Sequence, residues 1–547
     1  MSSLDGIDPF TFDVVVIGSG FSGCYLLHIL RKHGFRTRVL EWNKQIGGVW
    51  AWNRYPGARV DHEMPWYGFS APEIWSSWTW KERFPSYETL QSYFQHAATV
   101  WNLHQDIEYE TKVISAIYVE SERLWEVKTN RETTYKCKWL VSAVGTSSKP
   151  KFPAWKGLDK FQGEIHHSSA WPEKDPSMSG KRIAVIGAGA SGVQIMQEAV
   201  KCCSSVTHFI RSPNIALPMG QRQIQEDEIY AQKPLFPHIF KACRDTPNGL
   251  PILNTGKAVL EDSEEDREAL FEELWKRAGY NFAQGSYSDY LINRESNRVL
   301  YDFWCKKTRE RIRDPIKREI LAPLEPPYWF GTKRPSLEQG YYEACDDQKT
   351  TVTNSPITEF TQKGIVTADG KHTEFDIVAV CTGYDAITGG LRSLGVKGRN
   401  GLDLDDKWET GVLTNLGMMV NGFPNFFMLY GPQAPTSTAI GPIFSEQQCE
   451  WILEILQRLR SEGIQVIETK KESEEEWRQT VLELAAQTLL VETDSWAMGA
   501  NDPKKRRECL LYLGGMPAYF KHCRECLENW RDFEISFEAR ELEKSKE

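Results

Sequence analysis

FDVVVIGSGFSGCYLLHILRKHGFRTRVLEWN, residues 12–43, decides the fold of the first part of this chain. The apolar run Val14–Ile17 is typical of a buried parallel strand, and the residues after it keep helical spacing to about Leu30. A second strand is predicted at Thr37–Leu40. The turn before the helix carries the three glycines of a G-x-G-x-x-G pattern: Gly18, Gly20 and Gly23. This order of elements predicts a Rossmann-like nucleotide-binding unit.

The residues of this unit also indicate which nucleotide it binds. Gly18 permits the tight turn, Gly20 lets a pyrophosphate approach the backbone, and Gly23 lets the helix pack on the strand. The helix begins near Phe21, and its N-terminus offers amide donors and a positive dipole to the phosphates. Glu41 ends the second strand, where its carboxylate can accept hydrogen bonds from a ribose diol and would repel a 2′-phosphate. The first unit therefore suits FAD or NAD rather than NADP.

A second unit of the same kind lies at residues 181–214, KRIAVIGAGASGVQIMQEAVKCCSSVTHFIRSPN. Its predicted strands, Ile183–Ile186 and Val206–Ile210, flank a predicted helix at Val193–Val200. The turn repeats the glycine pattern and has a serine inside it: Gly187, Gly189, Ser191 and Gly192. The sequence therefore predicts a second dinucleotide site.

The second strand of this unit ends in Arg211-Ser212 instead of an acid. A guanidinium at this position matches the 2′-phosphate of NADP. The alternative is a solvated arginine at a strand end. FAD in the first unit with NADPH in the second indicates hydride transfer from nicotinamide to flavin.

We predict an α/β fold with two Rossmann-like dinucleotide-binding domains, one for FAD and one for NADP, and a helical insertion. Strands within Trp139–Thr146 and Phe375–Asp385 are predicted to precede the two points where the chain crosses between the domains. Dense charge with helical periodicity predicts the insertion. The predicted segments are 1–145 (FAD domain), 150–220 (NADP domain), 221–330 (helical insertion), 331–380 (NADP domain, return) and 381–547 (FAD domain, second part, with C-terminal helices).

Two helices are predicted in the last segment, at Glu446–Ser461 and Glu474–Leu489. Ser445 and Ser473 each stand three residues before a Gln or Glu, which is the pattern of a capping box at a helix start. Nearer the C-terminus, Cys523 and Cys526 have the spacing of a redox dithiol, but no βαβ pattern surrounds them.

The bulk composition argues against several functions. A formal charge of −10 over 547 residues is unfavourable for nucleic-acid binding. The apolar runs fall short of the ~20 residues that a bilayer span requires, and Met1–Thr11 is too polar for a signal peptide. No HExxH or paired ligand motif occurs, so we expect no metal site. Twelve scattered cysteines fit a reduced, cytoplasmic protein.

Four further motifs resemble those of a known family: GGVWAWNRYPGARVD (47–61), FQGEIHHSSAWP (161–172), GTKRP (331–335) and DSWAMGAN (494–501). On these motifs the chain resembles, over essentially its whole length, the type I (class B) Baeyer–Villiger monooxygenases, the family of the cyclohexanone- and phenylacetone-type ketone monooxygenases. Flavin-containing and N-hydroxylating monooxygenases share the two glycine patterns but lack the Trp/Arg/Asp run at 50–61.

The resemblance implies an FAD-dependent, NADPH-consuming monomer. It would insert one oxygen atom of O2 next to a ketone carbonyl, through a C4a-peroxyflavin, and release an ester or lactone. One alternative is a flavin-containing or N-hydroxylating monooxygenase that acts on amine or sulfide heteroatoms. Another is an NADPH-dependent flavin disulfide reductase, which would need a dithiol beside the flavin.

The resemblance also implies roles for single residues. Arg334 becomes the catalytic cation, which keeps the flavin peroxide anionic and stabilises the oxyanion of the adduct. Asp61 would orient and partly neutralise it, and Lys333 would join Arg211 at the 2′-phosphate. Gly48, Trp50 and Tyr67 would contact the flavin, and Trp496 the nicotinamide. Val49 and Val113 are further implied cofactor contacts.

Each of these roles has a plainer alternative. Arg334 and Asp61 could form a structural salt bridge, Lys333 could be solvated, and Trp496 could belong to the core. His167 lies in FQGEIHHSSAWP (161–172) and is expected to act as a hinge or linker between domains, not in proton transfer. The ketone pocket is expected from Trp496, the loop Tyr430–Pro442 and parts of the insertion.

Overall fold

Two sheets built around the two glycine patterns carry the fold. They are seen in a computed structural model of the chain, which describes residues 8–174 and 176–537. The first sheet has the strand order β17-β4-β5-β6-β1-β2-β3, with β18 also paired to β6. Its strands are β1 (Thr11–Ile17), β2 (Thr37–Leu40), β3 (Ile107–Glu108), β4 (Val113–Val119), β5 (Leu124–Thr129), β6 (Thr134–Ser142), β17 (Val396–Lys397) and β18 (Phe426–Met428).

The second sheet is entirely parallel, in the order β12-β9-β8-β16-β7. Its strands are β7 (Glu164–His167), β8 (Arg182–Ile186), β9 (Ser205–Phe209), β12 (Thr350–Thr353) and β16 (Ile377–Val380). An antiparallel sheet lies between β12 and β16 in sequence: β13 (Ile357–Phe360), β14 (Gly364–Thr367) and β15 (His372–Glu374). The predicted α/β class with two dinucleotide folds is confirmed.

The two glycine turns are built alike. The helix α1 (Phe21–Lys32) follows β1, and α5 (Ala190–Cys202) follows β8. A Cβ atom on Gly23 would lie 1.9 Å from the carbonyl oxygen of Gly18, and a Cβ on Gly192 would lie 1.9 Å from that of Gly187. Only glycine at the third position therefore lets each helix begin so close to its strand.

The chain crosses between the sheets at two neighbouring places. β6 is the last strand of the first sheet before β7, and β16 is the last of the second sheet before β17. The two crossing segments run side by side, because the Lys151 amide donates to the Gly383 carbonyl (3.0 Å) and the Asp385 amide donates to that of Lys149 (2.9 Å). The domain boundaries drawn from the sequence stay a prediction.

Residues 221–330 hold helices, and no strand is found among them. They include α6 (Glu226–Gln232), α7 (Phe236–Asp245), α8 (Glu264–Arg277), α9 (Asn281–Gln284), α10 (Arg294–Arg309) and α11 (Pro315–Leu321). The short parallel pair β10 (Leu217–Pro218) and β11 (Leu337–Glu338) joins the two ends of this region. One continuous cluster of buried side chains runs from the first sheet through the second and into these helices. The insertion thus packs as part of the body that holds both glycine turns.

The remaining elements complete the description. The other α-helices are α2 (Val49–Trp52), α3 (Pro72–Trp75), α4 (Tyr87–Val100), α12 (Tyr341–Asp346), α13 (Gly389–Arg392), α14 (Leu404–Lys407), α15 (Gly441–Glu462), α16 (Lys471–Ala486) and α17 (Met516–Glu525). The 3-10 helices are His104–Asp106, Leu158–Lys160, Ser168–Ala170, Lys233–Leu235, Val259–Glu261, Arg399–Gly401, Leu489–Glu492, Trp496–Met498 and Glu528–Trp530. The antiparallel pair β19 (Ile464–Thr469) and β20 (Phe533–Phe537) follows α15 and closes the described chain. Among the described residues, no helix combines the length and apolar character needed to cross a membrane.

The two predicted C-terminal helices exist, but their predicted starts are wrong. α15 begins at Gly441, with Pro442 in its first turn, and Ser445 lies inside the helix, where its hydroxyl bonds to that of Ser22 (2.9 Å). α16 begins at Lys471, so Ser473 is also a helical residue. A proline in the first turn, where its missing N–H costs nothing, set the earlier start of α15.

Two glycines of the second pattern allow the effect of helix packing to be tested separately from the approach of the ligand. Gly192→Ala should lower the melting temperature, because the methyl group clashes with the Gly187 carbonyl and overpacking costs about 1–3 kcal/mol. Gly189→Ala should leave it unchanged, since no atom lies within 4 Å of the new Cβ, yet weaken NADPH binding. Calorimetry and NADPH titration measure the two effects. Equal melting temperatures for both variants would contradict the packing argument.

Candidate active site

An ion pair between Arg334 and Asp61 stands at the centre of the site. Asp61 lies between α2 and α3, and Arg334 lies between α11 and β11, 273 positions later in the printed sequence. The Nη2 atom of Arg334 is 2.8 Å from Oδ2 of Asp61. The two side chains keep 33% and 29% of their surface exposed, so a molecule in the cleft can reach them.

Two residues that the sequence analysis missed complete the surroundings of this pair. His62 places Nδ1 2.8 Å from Oδ1 of Asp61, and the same atom is 3.3 Å from Nη2 of Arg334. Tyr280, at the start of α9 in the insertion, donates its hydroxyl to Oδ2 of Asp61 (2.8 Å). Adjacency to Asp61 was a signal for His62, whereas no sequence signal pointed to Tyr280.

The electrostatics keep both members of the pair ionised. Burial alone would raise the pKa of Asp61, but the charge of Arg334 and the hydrogen bond from His62 hold it well below its usual value. Burial would lower the pKa of Arg334, but Asp61 raises it above its usual value. The site therefore presents a permanent guanidinium cation, and the carboxylate of its partner Asp61 also accepts hydrogen bonds from other donors.

Aromatic rings enclose this pair on the side of the first domain. The Trp50 indole N–H donates to the hydroxyl of Tyr67 (3.2 Å), and the two rings meet edge to face. The His62 ring lies nearly parallel to Tyr67, with centroids 5.9 Å apart, and tilts against Tyr280. Phe21, the first residue of α1, packs edge-on against Tyr67. The predicted aromatic residues Trp50 and Tyr67 thus lie together beside the first glycine turn.

The first glycine turn forms a cradle that fits a dinucleotide. Gly48, at φ +56°, precedes Val49 and α2, and a Cβ on it would lie 2.9 Å from the Cα of Gly20. Ser142, at the carboxyl end of β6, has a buried hydroxyl without a partner in the described chain. Buried polar atoms of this kind normally have partners, so the cradle fits a polar ligand.

Glu41 lies at the predicted end of β2 and is buried. Its Oε2 accepts hydrogen bonds from the Ser19 amide (2.8 Å) and hydroxyl (2.7 Å), and Oε1 accepts from the Asn43 amide (2.7 Å). Burial raises its pKa, although these hydrogen bonds oppose the shift. Val113, buried at the start of β4, follows Thr111, whose amide donates to the Glu41 carbonyl (2.8 Å). The backbone just before Val113 is therefore tied to that of Glu41.

The predicted contacts to the 2′-phosphate lie on two segments, one after β9 and one after α11. Arg211 is exposed after β9, and Ser212 beside it is half-buried. Burial and the charge of Arg211 lower the pKa of Lys333, so the two cations lie close enough to repel each other. The Lys333 ammonium stands 4.5 Å over the ring of Tyr328, in a cavity of about 440 Å³. A phosphate would relieve the repulsion, so this pair fits a 2′-phosphate.

The segment that holds Trp496 contacts the GTKRP motif. Thr493 and Thr332 share a hydrogen bond (2.8 Å), and Glu492 accepts from the Trp329 indole (2.8 Å). Trp496 itself is half-buried and packs against the outer hydrophobic cluster of the first domain. Its contact with nicotinamide stays a prediction.

His167 lies where the two crossing segments meet. Its ring is buried at the end of β7, with Nδ1 2.7 Å from the Ser169 hydroxyl, and burial lowers its pKa. Phe152 on one crossing segment and Tyr384 on the other both contact the ring. The predicted hinge role fits this position and stays a prediction.

All twelve cysteines are free thiols. Cys523 and Cys526 are buried on and just after α17, and burial raises the pKa of both. Thiol exchange requires a thiolate, so this environment is unfavourable for a redox dithiol. Among the described residues no group of three His, Cys, Asp or Glu side chains could hold a metal ion.

Comparison with known proteins agrees with this geometry. A family model described as pyridine nucleotide-disulphide oxidoreductase matches residues 12–232. Cyclopentanone 1,2-monooxygenase of Comamonas sp. is 37% identical over 519 residues, which cover 94% of both chains. Phenazine N-monooxygenase PhzNO1 of Lysobacter antibioticus is 34% identical, over 95% of this chain and 96% of the relative.

The likeness extends to solved structures. The crystal structure of OTEMO in complex with FAD and NADP superposes with a TM-score of 0.92 at 34% identity, and the match covers 96% of this chain and 99% of that one. Sequence relatives and structure agree over nearly the full length of the chain. The chain belongs to the family of the FAD-dependent Baeyer–Villiger monooxygenases.

Proposed function

We propose that this enzyme inserts one oxygen atom of O2 next to a ketone carbonyl, with NADPH as the reductant, and that Arg334 is the cation at the reaction centre. The observation that carries the proposal is the Arg334–Asp61 pair, which joins the GTKRP segment to the part of the first domain that holds Trp50 and Tyr67. FAD, when bound and reduced, supplies the activation of O2.

Arg334 would stabilise the negative charge that develops on the carbonyl oxygen during oxygen transfer. Preorganised donors are most effective where charge appears in the transition state and water is excluded. Asp61 would hold the guanidinium in place without fully neutralising it, since the carboxylate also accepts from His62 and Tyr280. Trp50 and Tyr67 would keep water out of the space where the transfer occurs.

The NADPH site is proposed at the second glycine turn. Gly187, Gly189 and Gly192 would admit the pyrophosphate to the N-terminus of α5, together with Ser191. Arg211 and Lys333 would bind the 2′-phosphate, with Ser212 beside them, because two neighbouring cations match its charge.

The substrate class is proposed to be ketones. Arg334 donates from Nη1 to the Ser437 carbonyl (3.4 Å), which places the predicted pocket loop Tyr430–Pro442 directly at the cation. The Comamonas relative is named for cyclopentanone. A panel of cyclic and linear ketones, followed by NADPH depletion and gas chromatography, should yield an ester or lactone. NADPH loss matched only by hydrogen peroxide would contradict the proposal.

A second candidate is oxygenation of a heteroaromatic nitrogen. It is favoured by the 34% identity to a phenazine N-monooxygenase over 95% of this chain. Phenazine and quinoline belong in the same panel, and an N-oxide without any ester would make this candidate the better one.

We further propose that the enzyme is a monomer that works in the cytoplasm. Twelve free cysteines support a reducing compartment. Light scattering of the FAD-loaded protein tests the monomer, and an oligomer in solution would contradict it.

Removal of the proposed catalytic cation should separate reduction from oxygen transfer. Arg334→Ala should still let NADPH bleach the flavin, because the nicotinamide site is untouched, but should form no ester. Rapid-mixing spectra and product analysis measure the two steps. Arg298→Ala removes a half-buried arginine that is paired with Asp302 and Glu325, and it serves as the control. Normal ester formation by the Arg334 variant would remove it from the mechanism.

Removal of the proposed phosphate contacts should change the choice of cofactor. A charge-assisted hydrogen bond contributes about 1.5–3 kcal/mol, so Arg211→Ala or Lys333→Ala should weaken NADPH use roughly ten- to hundredfold. NADH use should change far less. Lys201→Ala, an exposed lysine on α5 paired with Glu198, is the control. An equal loss for both cofactors would count against the assignment.

The buried cysteine pair should be dispensable. With Cys523 and Cys526 both replaced by serine, product formation should stay within about twofold of the wild-type rate, because a raised thiol pKa disfavours redox exchange. The rate with NADPH and a ketone substrate measures this, at a temperature where both proteins are folded. Loss of all turnover in a folded, yellow variant would favour the disulfide reductase.

A further inference from the structure

We propose that Tyr280 is a positioning residue for Arg334. Its hydroxyl, delivered by the helical insertion, fixes the guanidinium and its partner Asp61 in one arrangement. The proposal rests on the proposed function, because it assigns Tyr280 to the same reaction. Tyr280 is 7% exposed and stands at the N-cap of α9, far in sequence from both residues that it contacts.

The hydrogen bonds of Tyr280 give each partner one defined orientation. Its oxygen accepts from Nε of Arg334 (3.2 Å) and lies 2.8 Å from Oδ2 of Asp61. The Pro335 carbonyl is 3.1 Å away, but the charged carboxylate is the closer acceptor for the single proton. Burial raises the pKa of Tyr280, so the hydroxyl keeps this proton.

Each of the three nitrogens of the Arg334 guanidinium has a partner. Tyr280 is the partner of Nε, and this contact sets the orientation of the group. Nη2 contacts Asp61 (2.8 Å), and Nη1 donates to the Ser437 carbonyl (3.4 Å). Without the hydroxyl, Nε has no acceptor at this place. The guanidinium can then turn and offer both Nε and Nη2 to the carboxylate, which is the favoured two-pronged geometry. Its charge would move from the cleft towards Asp61.

The turn that carries Tyr280 has a strained backbone, and hydrogen bonds hold it in place. Ala278 has φ +58° and ψ −162°, a conformation that favours glycine, and Gly279 follows at φ +59°. Strain of this kind persists only where the surroundings enforce it, and it concentrates at functional sites. The Gly279 amide donates to the Pro218 carbonyl (2.8 Å), which fixes the turn against the base of the insertion.

Further hydrogen bonds connect this turn to the segment that carries Asp61. Arg83 forms a two-pronged pair with Glu63 (2.8 Å at both contacts). The same guanidinium donates to the carbonyls of Gly220 (3.2 Å) and Arg277 (2.9 Å). The strained turn is thus tied to residues two positions from Asp61, and the hydroxyl is held at the ion pair from both sides.

The hydroxyl, not the ring, distinguishes positioning from packing. A phenylalanine would keep the ring contacts with His62 (5.3 Å between centroids) and with the Arg334 guanidinium (5.6 Å). Tyr280→Phe therefore removes only the hydrogen bonds. Tyr287→Phe is a matched control, because Tyr287 is a buried tyrosine of the same insertion whose hydroxyl donates to a carboxylate, Asp262 (2.9 Å), away from the ion pair.

The experiment compares the two FAD-loaded variants with the wild type. For Tyr280→Phe, kcat for ester formation should fall at least about tenfold, the loss expected for a hydrogen bond to a charged group. The ratio of ester to NADPH should fall while hydrogen peroxide rises. KM for the ketone, the Kd of NADP+ and flavin reduction by NADPH should stay near wild type. The melting temperature should shift no more than in Tyr287→Phe.

Three outcomes would overturn the proposal. They are an unchanged ratio of ester to NADPH, a loss of the same size in Tyr287→Phe, and a fall in melting temperature well beyond that control. A crystal structure of Tyr280→Phe supplies a readout independent of turnover, and it should show Arg334 with two contacts to Asp61. An unmoved guanidinium would also overturn the proposal. Wild-type protein that oxidises no ketone would contradict the proposed function alone, and the crystal structure would still decide the role of Tyr280.

Discussion

The contact between Arg334 and Asp61 imposes the constraint on which the site depends. A reaction that develops negative charge needs a cation nearby, but an unpaired cation in a cleft walled by aromatic rings is costly. A carboxylate beside the cation removes that cost. If the carboxylate paired with the cation alone, however, it would also cancel much of the positive charge that the reaction needs. The structure meets both needs because the Asp61 carboxylate contacts Arg334, His62 and Tyr280 at the same time. The guanidinium keeps its partner and retains charge towards the cleft.

This division requires residues from distant parts of the chain. Asp61 and His62 belong to the first domain, Tyr280 to the insertion and Arg334 to the segment after it. Separating Arg334 from Asp61 would leave two unpaired charges in a partly exposed site, so a shift that parted these segments would be opposed. The insertion packs into the same continuous core as the two sheets, which holds Tyr280 in place. The insertion therefore contributes a residue, Tyr280, to the candidate active site.

The features of the fold and of the site that could be predicted from the sequence are those that short sequence motifs determine. Both glycine turns and their strands follow from spacing, and Arg334 and Asp61 follow from motifs that resemble a family. Tyr280 could not be found, because its role comes from a turn that long-range contacts hold. The predicted start of α15 failed for a different, local reason: Ser445 matched a capping rule, but Pro442 suits the first turn of a helix, so the helix begins earlier, at Gly441.

The segment GGVWAWNRYPGARVD contacts the first glycine turn and α5, the helix that follows the second one, and this explains its unusual composition. At one end Gly48 packs against Gly20 of the first turn, where a side chain would collide. At the other, the Tyr55 hydroxyl donates to Gln194 of α5 (2.8 Å), and a Cβ on Gly57 would lie 3.0 Å from the Gln194 carbonyl. Ten residues thus span the space between the two dinucleotide folds. Because hydride transfer needs reacting atoms about 3–3.5 Å apart, a short segment packed on the first turn and on α5 limits how far the two sites can separate. Its glycines Gly48 and Gly57 permit the close contacts with Gly20 and Gln194.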